Sequence, residues 1–107
     1  RAADIINIKL MKTGGISNAI KVADIASLYG IPCMIGCMLE SSISVAAAVH
    51  LAVAKSGAIT KVDLDGPSLS LFNPVTGGVS FKGNRLYLSD APGLGITEVR
   101  GLEMLKA

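Results

Sequence analysis

Between residues 5 and 65, three short apolar runs alternate with two alanine-rich stretches of helical spacing, and only a few residues join one to the next. That order restricts the chain to βαβ units and a parallel sheet. Residues 5–10 are mostly β-branched and apolar, and Gly14-Gly15 closes the run. Ser17 is placed to cap a helix reaching about Tyr29, with Ile16, Ala19, Ile20, Ala23 and Ala26 at helical spacing. Gly30 stops this helix and Pro32 prevents its continuation. Residues 33–39 form a continuous apolar strand, as expected where both faces of a parallel sheet are covered. A second predicted helix, 42–55, carries Ala and Val on nearly every face, and Gly57 ends it. Residues 61–65 read as a short strand stopped by Gly66-Pro67.

Half of the 107 residues are hydrophobic and 17% are charged, more apolar than an ordinary globular chain. A chain of this size buries only roughly 60–70% of its unfolded surface. Such a composition therefore implies surfaces that something else covers. A membrane is not expected to be that partner. The most apolar run, 43–54, is interrupted by His50 and falls short of the roughly 20 residues of a spanning helix. The first residues carry no hydrophobic signal segment, so a cytoplasmic location is expected. Net charge is +2 without a basic cluster and aromatic content is 4%, which argues against a nucleic-acid partner. Cys33 and Cys37 sit four apart on the predicted strand, too far to bridge, with no second Cys/His pair for zinc. They read as reduced core cysteines.

After Pro67 the character changes. Asn73-Pro74, Gly77-Gly78, Gly83-Asn84 and Pro92-Gly93 punctuate short segments. Residues 79–81 and 85–88, joined through Lys82-Gly83-Asn84, read as a β-hairpin. Three parallel strands do not close a barrel, which takes about 250 residues. The expected fold class is α/β: part of a (β/α)-barrel over residues 1–67, about three parallel strands with two helices, then a hairpin-bearing segment over 68–107.

Charged residues stand where strands meant for burial should not carry them. Alternation along the first strand puts Ile6, Ile8 and Leu10 on one side, Asn7 and Lys9 on the other. The apolar set belongs against the helices, so Lys9 points to the barrel interior near its strand's C-terminal end. A lysine there is a general-base candidate; a strand-end lysine reaching for water fits the same pattern. Lys12 falls in the following turn. In 61–65, Val62 and Leu64 share one face and Asp63 and Asp65 the other. Two carboxylates so placed repel unless a cation lies between them, whether a metal, a lysine or a substrate ammonium; two solvated acids at a strand end are the plainer reading. Glu40 follows the middle strand, ahead of a helix that Ser41 or Ser42 could cap, near that helix's positive end. His50 is read as packed among alanines and valines. Barrel active sites form at the C-terminal ends of several strands, and all three strands here end in charged groups.

The residues resemble a known family. Asn7-Ile-Lys9-Leu-Met-Lys12-Thr-Gly14-Gly15-Ile is similar to the sixth barrel strand of the muconate-lactonizing subgroup of the enolase superfamily. Gly36-Cys-Met-Leu-Glu40-Ser resembles its seventh strand, Asp63-Leu-Asp65-Gly-Pro67 its eighth, and Pro92-Gly93-Leu-Gly95-Ile96 a trailing segment. The D-x-D is most like that of the dipeptide epimerases of L-Ala-D/L-Glu type. The resemblance implies an isomerase in which two lysines face opposite sides of a dipeptide α-carbon. One removes the α-proton, Mg2+ stabilises the enediolate and the other lysine reprotonates it. It assigns Lys9 as the sixth-strand base, Asp63 and Asp65 as holders of the substrate α-ammonium, Glu40 as a rim acid, and Leu39 as a wall of the side-chain pocket. It places the metal ligands upstream, so no metal ligand is expected in this chain. It implies a missing N-terminal part of the same enzyme as partner, with a capping domain against which 68–107 packs; a homo-oligomer is also expected. Muconate or chloromuconate cycloisomerase and o-succinylbenzoate synthase are the alternatives within the superfamily. An inert fragment is the alternative outside catalysis.

Overall fold

The computed structural model describes residues 2–103. Strand β1 (Ile6–Lys9) runs into a single helical turn, α1 (Leu10–Thr13), and then helix α2 (Ile16–Leu28). Strand β2 (Cys33–Gly36), helix α3 (Ser42–Ala54) and strand β3 (Ile59–Asp63) complete the α/β part. The three strands are parallel in the order β1-β2-β3. A 3-10 turn (Gly66–Leu69) then leads to four short strands, β4 (Val75–Gly77), β5 (Val79–Lys82), β6 (Arg85–Leu88) and β7 (Ile96–Val99).

Helix α2 ends as its sequence predicts. Gly30 takes a left-handed φ of 63°. Its N–H donates to the Ser27 carbonyl at 3.0 Å, while the Ile31 N–H donates to Ala26 at 2.9 Å. These two bonds satisfy carbonyls that the helix leaves open, the arrangement a glycine one residue past the helix favours. The start of α2 differs from expectation. Gly15 occupies the capping position, Ser17 lies inside the helix, and no side chain caps it. At the start of α3, Ser41 holds the capping position without a side-chain bond, and the Ser42 hydroxyl is buried without a partner among the described residues.

The sheet has two unlike faces. Ile8 and Ile35 are fully buried on the helix side, with Cys33, Ile59 and the α3 residues Val45, Ala46 and Ala48. Burying an isoleucine in this way contributes about 1.5–3 kcal/mol. The opposite face carries Asn7, Lys9, Met34, Gly36, Lys61 and Asp63, as the pairing register requires. The alternation predicted for β1 is therefore observed.

Helix α3 packs on β2 and β3, on α2, and on the hairpin strands β5 and β6. Its Ala and Val residues on nearly every face follow from these three sets of neighbours. The β5–β6 hairpin pairs Val79 with Leu88 and Lys82 with Arg85, leaving Gly83-Asn84 as a two-residue loop. Val79, Leu86 and Leu88 join the core beside α3. The antiparallel pairing of β4 with β7 brings together segments about twenty residues apart. No local pattern announced it.

Both later strands of the parallel sheet are displaced from their predicted positions. Strand β2 ends at Gly36, so Cys37, Met38 and Leu39 lie beyond it. Strand β3 covers Ile59–Asp63, which leaves Asp65 off the strand. Both cysteines are buried and free. Among the described residues no helix is long and apolar enough to cross a membrane.

Candidate functional site at the strand ends

Lys9, Gly36 and Asp63 occupy one row across the sheet, because Lys9 pairs with Gly36 and Gly36 with Asp63. Residues paired in a parallel sheet project to the same face. At roughly 4.8 Å between strands, the Cα atoms of Lys9 and Asp63 stand about 10 Å apart. A base and an acid thus face one space at the C-terminal ends of β1 and β3, with a glycine between them.

The Lys9 side chain is held. Its Nζ donates to the Cys37 carbonyl at 2.9 Å, the first residue past β2. Half-buried Lys9 is thereby drawn across the end of the middle strand instead of out into solvent. Its own carbonyl accepts from the Thr13 hydroxyl at 3.2 Å, tying the strand end to α1.

Asp63 and Asp65 do not share a strand face, contrary to the reading from alternation. Pro67 stands in the first turn of the 3-10 segment, and the Ser68 hydroxyl and N–H donate to the Asp65 carbonyl at 2.8 and 2.9 Å. The chain therefore leaves the sheet before Asp65. Its carboxylate lies 4.0 Å from the Cys37 thiol sulfur. Cys37 thus meets Lys9 through its backbone and Asp65 through its side chain.

A second turn packs against this one. The Glu40 N–H donates to the Met38 carbonyl at 2.9 Å, closing a three-residue turn that turns Leu39 outward, 83% exposed. Gly66 approaches the same turn so closely that a Cβ there would sit 2.9 Å from the Met38 carbonyl oxygen and 3.1 Å from the Glu40 nitrogen. Only glycine permits that approach. The glycine of Asp-Leu-Asp-Gly is therefore what docks β3's end on the segment following β2.

Glu40 is buried, 6% exposed, immediately before the α3 cap. One carboxylate oxygen accepts from the Ser44 hydroxyl at 2.9 Å, while the other is buried without a partner among the described residues. The expected position ahead of the helix is observed, and packing by the turn and Ser44 takes the side chain out of solvent. Lys12 is exposed on α1, and His50 is half-buried within α3. Sequence reading put Asn7 on Lys9's face but gave it no part in the site, and it passed over Gly36. A glycine inside an apolar strand was the available signal for the latter.

Among the described residues, no three His, Cys, Asp or Glu side chains converge to hold a metal ion. The arrangement offers a positioned amine and separate carboxylates, a set suited to moving a proton near a bound cation.

Comparison with known proteins places these features in a family context. The sequence model of the family described as enolase C-terminal domain-like matches residues 1–100. An L-Ala-D/L-Glu epimerase of Clostridium acetobutylicum is 58% identical over 96 residues, covering 90% of this chain and 26% of that protein. An N-succinyl-L-Arg/Lys racemase of Bacillus cereus is 44% identical over 95 residues, covering 89% of this chain and 25% of its own length. Among solved structures, a dipeptide epimerase from Methylococcus capsulatus, complexed with Mg and the dipeptide L-Arg-D-Lys, superimposes with a TM-score of 0.85. It is 45% identical, over 89% of this chain and 27% of that one. The chain spans about a quarter of the length of the curated relatives it matches.

Proposed function

Because the chain belongs to the enolase C-terminal domain-like family, we propose that it supplies one of two acid/base groups, and the ammonium-binding carboxylates, of a dipeptide epimerase. Lys9 takes or returns the proton on one face of the substrate α-carbon. Asp63 and Asp65 hold the free α-ammonium of the dipeptide. The other base belongs to a part of the enzyme outside this chain. The observation that carries the reading is the row Lys9–Gly36–Asp63. It puts a lysine and an aspartate on one face with their Cα atoms about 10 Å apart, an arrangement that suits a substrate offering a carbon acid to the first and a cation to the second.

The chain's own residues do not fit a magnesium site, since no three ligating side chains meet among those described. No step assigned to Lys9 or the aspartates here passes through such an ion. We further propose that residues 1–67 end a barrel and that 68–107 return toward a capping domain. Leu69, Leu71 and Phe72 support this division, because they expose large apolar side chains just past the last parallel strand.

A second reading has its own support. The Bacillus cereus racemase, by its name, acts on N-succinylated amino acids, which have no free α-ammonium. Asp63 and Asp65 would then lack their cation.

Lys9→Ala in the full-length enzyme tests the base assignment. In D2O, interconversion of epimers should be lost, and α-deuterium incorporation should persist from one epimer only. Retention of exchange from both epimers would remove Lys9 from the reaction.

A further inference from the structure

The Lys9 side chain lies over a gap in the middle strand, and the gap is a missing methyl group. A Cβ built on Gly36 would stand 3.3 Å from Lys9 Cε and 2.8 Å from Asn7 Oδ1. Carbon contacts are ordinarily comfortable at 3.5–4.0 Å. A side chain on Gly36 would therefore displace the tip of the flexible Asn7 side chain and crowd the Lys9 stem. Gly36 is fully strand-like, outside the left-handed region, so its backbone asks for no glycine. What asks for it is the space occupied from β1.

That space has a direction. Lys9 reaches over Gly36 for its Nζ to meet the carbonyl of Cys37, the next residue. Asn7 and Lys9 are two apart on β1, project to the same face, and both reach the empty position beside them. Asn7 reaches that position beside the Lys9 stem, and the Cys37 carbonyl holds the Lys9 tip.

We infer that Gly36 is a positioning residue for Lys9: the absence of its side chain, with Asn7 alongside, fixes where the Lys9 amine stands. The inference rests on the acid/base role of Lys9 proposed above and adds what sets the geometry of that base. It touches only one of the two bases.

The test uses the full-length enzyme and reads the two faces separately. Gly36→Ala keeps a backbone any residue adopts, and replacing glycine there restricts the unfolded chain, so folding is expected to survive. A shift of a few tenths of an ångström in a reacting group is costly, given that about 1 Å can cost a hundredfold. In D2O, α-deuterium incorporation from the epimer served by Lys9 should fall roughly tenfold in Gly36→Ala, while incorporation from the other epimer stays within about twofold. In the double variant Asn7→Ala/Gly36→Ala the nearest clash is gone, and exchange on the Lys9 face should recover severalfold. Equal loss on both faces, no loss on either, or no recovery in the double variant would each overturn the inference. Lys9→Ala run beside them separates the two claims. If it leaves exchange on both faces, the base assignment itself fails; if it silences one face that Gly36→Ala leaves unaffected, only the role of Gly36 fails.

Discussion

The Lys9 ammonium donates to the Cys37 carbonyl at 2.9 Å, joining the end of β1 to the residue just past β2. The thiol of Cys37 lies 4.0 Å from Asp65 on the far side. One residue, which sequence reading took for simple core filling, thus touches two of the groups proposed to meet the substrate. It does so because β2 stops at Gly36 and frees the next carbonyl from the ladder.

The two aspartates are expected to separate in effect. Asp63 faces Lys9 across the sheet, whereas Asp65 sits off the strand beside Cys37. Asp63→Ala in the full-length enzyme should lower kcat/KM for a free dipeptide about ten- to a hundredfold, the worth of a charged hydrogen bond of roughly 1.5–3 kcal/mol. Wild type should discriminate against the N-acetylated dipeptide, and the variant should discriminate less. Equal turnover of free and acetylated dipeptides by wild type would return both carboxylates to ordinary surface acids and favour an N-acylated substrate.

Ser44→Ala removes the hydrogen-bond partner the Glu40 carboxylate has, while its other oxygen is already unpaired among the described residues. Leaving a buried acceptor unsatisfied costs about 1–3 kcal/mol. The variant should melt at lower temperature by calorimetry, and Glu40→Gln/Ser44→Ala should recover part of the loss. An unchanged melting temperature would mean that solvent reaches Glu40.

The 107-residue chain by itself should show no epimerase activity and no specific Mg2+ binding. It carries one proposed base, and its described residues assemble no metal-ligand cluster. Deuterium incorporation into L-Ala-L-Glu, and titration calorimetry with MgCl2, are the measurements. Either a deuterated product or a saturable heat would contradict the expectation.

The same isolated chain should associate. Strands β1 and β3 are the two edges of a three-stranded parallel sheet, and an unpaired edge templates other chains. Leu28, Tyr29, Leu71 and Phe72 add exposed apolar surface. Sedimentation velocity should show dimers or larger species; a monodisperse monomer with a cooperative melt would rule this out.

Burial pushes the Cys33 thiol up from its ordinary value. The folded state therefore keeps the proton that the unfolded chain releases. Its contribution is fully present below the unfolded thiol's value, about 8.5, and is lost as pH rises from there through the raised folded value. Melting temperature should decline across that alkaline window, and the decline should be shallower in Cys33→Ala. An identical alkaline slope in the variant would assign the loss to other groups.

Much of this molecule is decided within short stretches of sequence. The alternation of apolar runs with alanine-rich helices yields the parallel sheet, because each period matches one kind of backbone. Ile6, Ile8, Asn7 and Lys9 sort to their faces by simple alternation, and the stop at Gly30 and the Gly83-Asn84 loop follow from local backbone preference. The sides of β3 were not decided that way. Ile59, Lys61 and Asp63 share one parity, yet Ile59 is buried on the helix side while Lys61 and Asp63 face the other. The cause is a register shift: Cys33 pairs with Ile59 and Met34 with Lys61, leaving Thr60 as an extra residue. A bulge exists only in relation to the neighbouring strand, so one strand's own pattern does not reveal it. The early end of β2, the departure of Asp65 from the sheet and the burial of Glu40 are of the same kind. They lie around the close approach of Gly66 to the Met38–Glu40 turn, a contact between segments more than twenty residues apart that only the folded chain brings together.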